Sequence, residues 1–252
     1  FHTLHRIKAL KDFADVHKGD LGGWIEKESN LSQGEDCWVY GNAMVYNDAK
    51  VYGSAGVYDN AMVYDDAHVY DDAQVCDNAK VYSNTHVYDN AQIHGNAQIY
   101  GSAGVYDNAQ VYGNAQVFGS AWVFNHARVY GNAQVFGHAR VYDNAKVYDD
   151  AQVHGFAWVC DNAQVYDNAQ VYDDAHVFHH ARVCDNAKVY DEAQVHGFAW
   201  VYGHARVRDI AKVYDDAQVH GFAWVCDNAQ VYGTAQVHGN AWVCDNAQVC
   251  DN

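Results

Sequence analysis

The chain has 252 residues, no proline, 20 tyrosines and a formal net charge of −17 with histidine neutral. At the average proline usage of about 5%, roughly a dozen prolines are expected, so their absence argues against collagen-like chains and loop-rich folds. The acidic balance argues against a nucleic-acid partner, and no run approaches the ~20 apolar residues that a membrane helix needs.

The first 36 residues predict a cap in front of a repeat domain at 37–252. Residues 1–22 are mildly basic and lack periodicity, so we expect irregular structure there. Residues 23–26 (Gly-Trp-Ile-Glu) and 29–32 (Ser-Asn-Leu-Ser) are interpreted as two degenerate strands. Leu31 and Val39 are eight residues apart, so two extra residues should bulge before the repeat begins. Solenoids need such terminal caps.

From residue 37 onward the chain is an unbroken six-residue repeat, Ala-x-Val-Tyr-Asp/Gly-Asn. An aliphatic residue occupies all 36 positions from Val39 to Val249, and Ala recurs from Ala43 to Ala247 with Thr85 as the exception. Six residues turn ~600° in a helix and leave no constant apolar face, whereas Ala and Val share one side of an extended segment. Each hexad therefore predicts a short strand and a polar corner, because Asp, Asn and Gly tolerate turn conformations.

The hexad at residues 57–62, Val-Tyr-Asp-Asn-Ala-Met, is similar to the hexapeptide repeat of left-handed parallel β-helices. The resemblance implies an all-β, single-stranded, triangular β-solenoid with three hexads, or 18 residues, per coil and about 12 coils. Residues 5–13 and 21–32 resemble the start of YdcK-like bacterial and phage hexapeptide-repeat proteins. Those proteins are often named transferases on the ground of their fold, which is weak evidence of activity. A right-handed triangular solenoid of the bactofilin type is the alternative, because counting hexads does not determine the hand.

The position after each core aliphatic residue points outward, and we call this series the outward column. It holds all 20 tyrosines, four Phe, five His, six Cys and Arg208. Stacked from coil to coil, these rings predict aromatic ladders that stiffen the rod. Because six of the seven cysteines lie in this column, we expect free thiols in a reducing compartment and no disulfide framework. Cys226 and Cys244 should stack, but two ligands are too few for a closed zinc site.

Five corner aspartates are spaced by 18 residues and predict a vertical carboxylate ladder, at Asp173, Asp191, Asp209, Asp227 and Asp245. Oxygen-rich sites of this kind suit Ca²⁺, so weak calcium binding is the metal hypothesis, and no other cofactor is expected. The alternative is that these aspartates are the ordinary chemistry of turns.

A second motif, Gly-Phe-Ala-Trp, occurs three times at offsets of 42 and 24 residues, each six beyond a multiple of 18. The copies should therefore lie on three different faces, which argues against one flat aromatic binding surface. A bulky residue is costly at positive φ, so the glycine before each Phe should take that conformation. The aromatic pairs are candidates for lateral contacts between rods, at Phe156, Trp158, Phe198, Trp200, Phe222 and Trp224.

The regular array favours a non-catalytic structural rod that assembles end to end into a filament or fibre. The chain stops in mid-pattern at Val249 and Asn252, so we expect an open end there that a second copy covers. One alternative is a hexapeptide-type acyltransferase, a class whose resemblance implies a catalytic His near a subunit cleft and loops that interrupt the coils. The other is a phage or surface binding module. We expect self-association as the main interaction and a cytoplasmic or phage-associated location, with an extracellular fibre as the alternative.

Overall fold

The structure is a computed structural model that describes residues 2–251 and divides into two compact units, Phe1–Ser120 and Ala121–Asn252. Its elements are 38 β-strands and one 3₁₀ helix, Glu28–Asn30, and the described residues contain no α-helix. No helix of residues 2–251 has the length and apolarity that a membrane crossing requires. Each unit is a parallel β-solenoid with three strands and 18 residues per turn. The predicted all-β solenoid is confirmed, while its left-handed sense stays a prediction.

The N-terminal unit begins with two strands that differ from the rest. β1 (His5–Lys8) pairs antiparallel with β2 (Leu21–Ile25), and β2 pairs in parallel with the first repeat strand of its sheet. The degenerate strand expected at residues 23–26 is therefore confirmed. The expectation of irregular structure throughout residues 1–22 is wrong at β1, because the edge of β2 supplies hydrogen-bond partners to a segment that has no repeat of its own.

The second degenerate segment closes the first coil. Leu31 forms a parallel bridge with Val51 after the 3₁₀ turn, and the extra residues before Val39 lie in a bend at 33–36. Asn30 is fully buried, and its side-chain amide donates to the carbonyl oxygens of Asn47 at 3.0 Å and Ala49 at 2.8 Å. Buried polar groups need such partners, so Asn30 fixes the cap to the repeat above it.

The repeat strands β3 to β38 are two residues long and begin at every sixth residue. In the N-terminal unit they form three parallel sheets. Sheet A1 continues from β2 with Met44–Val45, Met62–Val63, Lys80–Val81, Gln98–Ile99 and Gln116–Val117; sheet B1 contains Lys50–Val51, His68–Val69, His86–Val87 and Gly104–Val105; sheet C1 contains Trp38–Val39, Gly56–Val57, Gln74–Val75, Gln92–Ile93 and Gln110–Val111.

The C-terminal unit has the same plan. Sheet A2 contains Gln134–Val135, Gln152–Val153, Gln170–Val171, Lys188–Val189, Arg206–Val207, Trp224–Val225 and Trp242–Val243; sheet B2 contains Trp122–Val123, Arg140–Val141, Trp158–Val159, His176–Val177, Gln194–Val195, Lys212–Val213, Gln230–Val231 and Gln248–Val249; sheet C2 contains Arg128–Val129, Lys146–Val147, Gln164–Val165, Arg182–Val183, Trp200–Val201, Gln218–Val219 and Gln236–Val237.

Alanine and valine side chains fill the interior of both units, as the alternation predicts. Val81 in sheet A1 and Val171 in sheet A2 are both fully buried, as are almost all of their equivalents. Thr85, the exception in the alanine series, is buried too, and its hydroxyl donates to the carbonyl oxygen of Tyr82 at 3.1 Å. The polar atom that Thr85 brings into the core therefore has a partner, and the repeat continues through it.

The corners explain the restricted composition of the hexad. The first corner residue of every repeat from Gly41 to Asp245 has a φ between 55° and 77°. This left-handed region favours Gly, Asn and Asp, which accounts for their dominance at this position. The second corner residue donates its amide to the next coil, as when Asn96 N–H binds the carbonyl oxygen of Gly113 at 2.7 Å.

Candidate functional site

Corner aspartates bind the backbone of the next coil. Asp77 accepts a hydrogen bond from the amide of Gly95 at 2.8 Å in the N-terminal unit. Asp185 accepts one from Gly203 at 2.9 Å in the C-terminal unit. The first corner residue thus has two roles, because it adopts the left-handed turn and its carboxylate satisfies the amide of the residue 18 positions later.

In the cap, glutamates replace these aspartates. Glu26 accepts the amide of Asn47 at 2.6 Å, and Glu35 accepts the amide of Gly53 at 2.7 Å. The Gly53 amide is the main cause that lowers the pKa of Glu35. For Glu26, a hydrogen bond from His2 lowers the pKa most, followed by the Asn47 amide. The longer side chain lets an irregular segment make the same contact as a regular corner.

The five aspartates of the proposed calcium ladder all occupy the first corner position after sheet A2. The carboxylates of Asp191, Asp209 and Asp227 accept the backbone amide of the next aspartate in the series, at 3.1–3.2 Å. Among residues 2–251, no three of the five bring ligand oxygens within 4.8 Å of one another. The hydrogen bonds to the backbone give these carboxylates a structural role, and calcium binding stays a prediction.

The structure gathers two other groups of candidate metal ligands. In each, a cysteine Sγ and two further ligand atoms lie within 4.8 Å of one another: Cys226 with Asp227 and Cys244, and Cys184 with Asp167 and Asp185. Cys226 and Cys244 form a disulfide with a Cα–Cα distance of 4.6 Å. The stacking of this pair is confirmed. The expectation that every thiol is free is wrong here, because stacked cysteines on adjacent coils lie within bonding reach.

The Gly-Phe-Ala-Trp copies lie on three different faces of the C-terminal unit, as predicted. Trp158 belongs to sheet B2, Trp200 to sheet C2 and Trp224 to sheet A2. The preceding glycines adopt the left-handed conformation, with φ of 70–72°, and each Phe side chain is exposed. Each face of the C-terminal unit therefore carries one copy of the motif, and contacts of these Phe and Trp side chains with another rod stay a prediction.

One coil below each pair lies a His-Ala-Arg segment, which the sequence analysis missed. The rings of His138, His180 and His204 stack on the Phe above at 4.7–4.8 Å. Arg140, Arg182 and Arg206 place their guanidinium carbons 4.6–5.9 Å from the centroid of the Trp above. These neighbours therefore cover one face of each Phe and Trp ring.

The signal for this arrangement is a repeated 21-residue block, at residues 138–158, 180–200 and 204–224. The block starts with His-Ala-Arg and ends with Phe-Ala-Trp, and it differs between copies at three positions. The block is three residues longer than the 18-residue coil, so its last three residues lie directly above its first three. Each copy therefore brings its own His–Phe and Arg–Trp contacts to whichever face it occupies.

Histidines in the outward column belong to the aromatic ladders. His154 stacks between Phe136 and Tyr172, with ring centroids 4.6 and 5.0 Å apart. Burial is the main cause that lowers the pKa of His154 and of His196, which favours the neutral ring at neutral pH. Both histidines are therefore stacked members of an aromatic ladder.

A cavity of about 540 Å³ opens beneath the cap. Its apolar lining includes Ile7, Phe13, Leu31 and Trp38, and the Cys37 thiol lies in its wall. Burial is the main cause that raises the pKa of Cys37 to about 11, so this thiol is protonated at neutral pH. The sequence analysis missed this cavity, because it forms where the cap segment without periodicity folds over the first coil.

A family model for the YdcK β-solenoid repeat matches residues 39–54, 55–71, 109–125 and 139–155. The chain carries YdcK-type β-solenoid repeats. The protein named "Uncharacterized acetyltransferase YdcK" from Escherichia coli (strain K12) is 42% identical over 52 residues. That match covers 20% of this chain and 16% of the relative's length. The resemblance to YdcK-like hexapeptide-repeat proteins is confirmed.

Proposed function

We propose that this YdcK-type solenoid is a non-catalytic structural rod. The observation that carries the proposal is the equivalence of its coils within each unit. In both units, strand and second-corner amides bind the carbonyl oxygen of the residue 17 positions later, for example Gln98 to Ala115 at 3.0 Å and Gln170 to Ala187 at 3.0 Å. Stacked rings on the outside repeat at the same spacing, so core, backbone and surface all stiffen the same axis.

The finer proposal is that copies join end to end into a filament. Because every coil makes the same contacts, a joint between two copies would repeat the hydrogen bonding found inside each unit. Val249, from the last strand of sheet B2, is one contact of this joint. Asn252, the other residue predicted to lie at this joint, is outside the described residues.

Negative-stain imaging together with light scattering tests the filament. We expect rods longer than one copy. Val249→Lys should shorten them, because a charge at the joint is costly to bury, whereas Gln248→Lys, on the exposed neighbouring side chain, should leave their length unchanged. A strictly monomeric wild-type protein would refute the filament without affecting the structural rod.

A second candidate is acetyl transfer, favoured by the name of the E. coli relative. Its test is the release of coenzyme A thiol from acetyl-CoA in the presence of amine and hydroxyl acceptors, with mass spectrometry of the products. The structural proposal expects no turnover above the protein-free rate. Sustained turnover would overturn it.

A further inference from the structure

The Cys226–Cys244 disulfide lies where the aromatic ladder of sheet A2 stops. The outward column of this sheet stacks rings from Phe136 to Tyr190 at centroid distances of 4.6–5.0 Å. Arg208 and the two cysteines then take the next three positions of the column. Arg208 is the one arginine in the outward column, and it lies directly beneath Cys226.

Two arginines lie close to the strand that precedes Cys226. The guanidinium carbons of Arg206 and Arg208 lie 4.6 and 5.3 Å from the ring centroid of Trp224, which is two residues before Cys226. The Nε atom of Arg208 is 3.6 Å from Asp209 Oδ2, which is an ion pair beyond hydrogen-bond reach. Of residues 2–251, Arg208 alone has a buried side-chain nitrogen or oxygen with no hydrogen-bond partner. The Nε–H of Arg208 is therefore a donor that an acceptor on a bound ligand can satisfy.

We propose that Cys226–Cys244 is a thiol–disulfide exchange site for anionic low-molecular-weight thiols. Cys226 is 1% exposed, whereas Cys244 is half-buried, so the incoming thiolate attacks Cys244 Sγ. The S–S bond breaks, a mixed disulfide forms on Cys244, and Cys226 leaves as a thiolate that the Arg208 guanidinium stabilises. A second thiolate attacks the mixed disulfide at the sulfur of the first thiol and releases Cys244. Two thiols thus become one small disulfide, and their protons pass to Cys226 and Cys244.

The acidic groups nearby determine the direction of approach. A carboxylate oxygen of Asp227 lies within 4.8 Å of both sulfur atoms, and its charge repels an anionic thiol that approaches from the corner side. Asp209, Asp227 and Asp245 all follow the outward column on its corner side, whereas Arg206 precedes the column on the other side. The carboxylates of an incoming thiol therefore bind on the Arg206 side, away from the aspartates.

Three thiols of different charge test the proposal on the oxidised full chain: glutathione (anionic), 2-mercaptoethanol (neutral) and cysteamine (cationic). In a Cys250→Ser background, the tryptic peptide after Lys212 carries only Cys226 and Cys244. Alkylation and mass spectrometry of this peptide then report opening of the disulfide. After correction for thiolate fraction, we expect glutathione to react about tenfold faster than cysteamine, with the mixed disulfide on Cys244.

Arg208→Tyr is the decisive variant, because tyrosine is the usual residue of the column and leaves the fold intact. It should abolish the preference for glutathione, and Arg208→Lys should retain most of it. Equal rates for the three thiols, or a preference that survives Arg208→Tyr, would overturn the proposal. Opening that occurs only when denaturant unfolds the C-terminal unit would also overturn it, since the disulfide would then be a structural crosslink.

Discussion

The N-terminal and C-terminal units share one backbone plan and differ in their outward columns. In sheet A1, Tyr46, Tyr64, Tyr82 and Tyr100 stack continuously at 4.9–5.1 Å. In the C-terminal unit, five cysteines occupy the outward column, against Cys76 alone in the N-terminal unit, and the three 21-residue blocks add exposed Phe side chains. Because the core and the backbone hydrogen bonds are the same in both units, we infer that the outward column can change without loss of the fold.

The largest expected effect tests whether the cores are equivalent. Val81→Ala in the N-terminal unit and Val171→Ala in the C-terminal unit should each cost about 2–3 kcal/mol, because both side chains are fully buried. Hydrogen exchange and urea unfolding measure the loss. Lys80→Ala and Gln170→Ala, one residue earlier on the outer surface, should cost about 0.5 kcal/mol or less. A clearly larger loss in one unit would contradict the equivalence.

The next largest effect on stability should come from exchanging tyrosine and cysteine between continuous and interrupted aromatic ladders. Tyr82→Cys gives the continuous ladder of sheet A1 a cysteine, as in the interrupted ladders of the C-terminal unit, and it removes two stacked contacts. We expect a loss of about 1–2 kcal/mol and a weaker near-ultraviolet circular dichroism signal. Cys160→Tyr, between Tyr142 and Phe178 in the column of sheet B2, should gain part of that amount. If both variants lose stability equally, the cysteines that interrupt the ladders are adapted to their positions, and the outward column is not freely exchangeable.

The strands, the corners and the 18-residue coil could be predicted because their causes are local. Alternation places Val and Ala inside, and a left-handed corner selects Asp, Asn or Gly wherever it occurs. The placement of Phe156, Phe198 and Phe222 on three different faces could also be predicted, because their spacings exceed a multiple of 18 by six residues. β1 could not be predicted in this way, since its pairing depends on the free edge of β2 and not on a period of its own.

Contacts along the solenoid axis were harder to predict. The His-Ala-Arg segment below each Phe-Ala-Trp is visible at a spacing of 18, but only when residues are compared between coils. The spacing of Cys226 and Cys244 predicts that they stack, yet their bonding depends on side-chain direction. No sequence pattern predicted the hydrogen bonds of Glu26 and Glu35, because their contacts with the next coil depend on how the cap bends.

A smaller effect should distinguish the two roles of the corner aspartates. Asp77→Ala and Asp185→Ala lose the hydrogen bond to the glycine amide of the next coil. Each should cost about 1 kcal/mol, since both side chains are exposed and screened. Asp77→Gly and Asp185→Gly lose the same bond but relieve the left-handed backbone, so they should cost less. Thermal unfolding compares the four variants, and an alanine variant as stable as wild type would rule out a role for the hydrogen bond.

The smallest effect concerns the cap, where Glu35 replaces a corner aspartate. Its pKa in the folded protein is lowered, mainly by the Gly53 amide, from a reference value of 4.5. The stabilisation is therefore present above pH 4.5 and is lost as the pH falls through the lower folded pKa. Glu35→Gln should reduce the melting temperature at pH 7, and the difference from wild type should shrink toward pH 3. Glu28→Gln makes the same charge change in the same cap and serves as the control. A difference for Glu35→Gln that stays constant between pH 7 and pH 3 would mean that the ionised carboxylate contributes nothing at this corner.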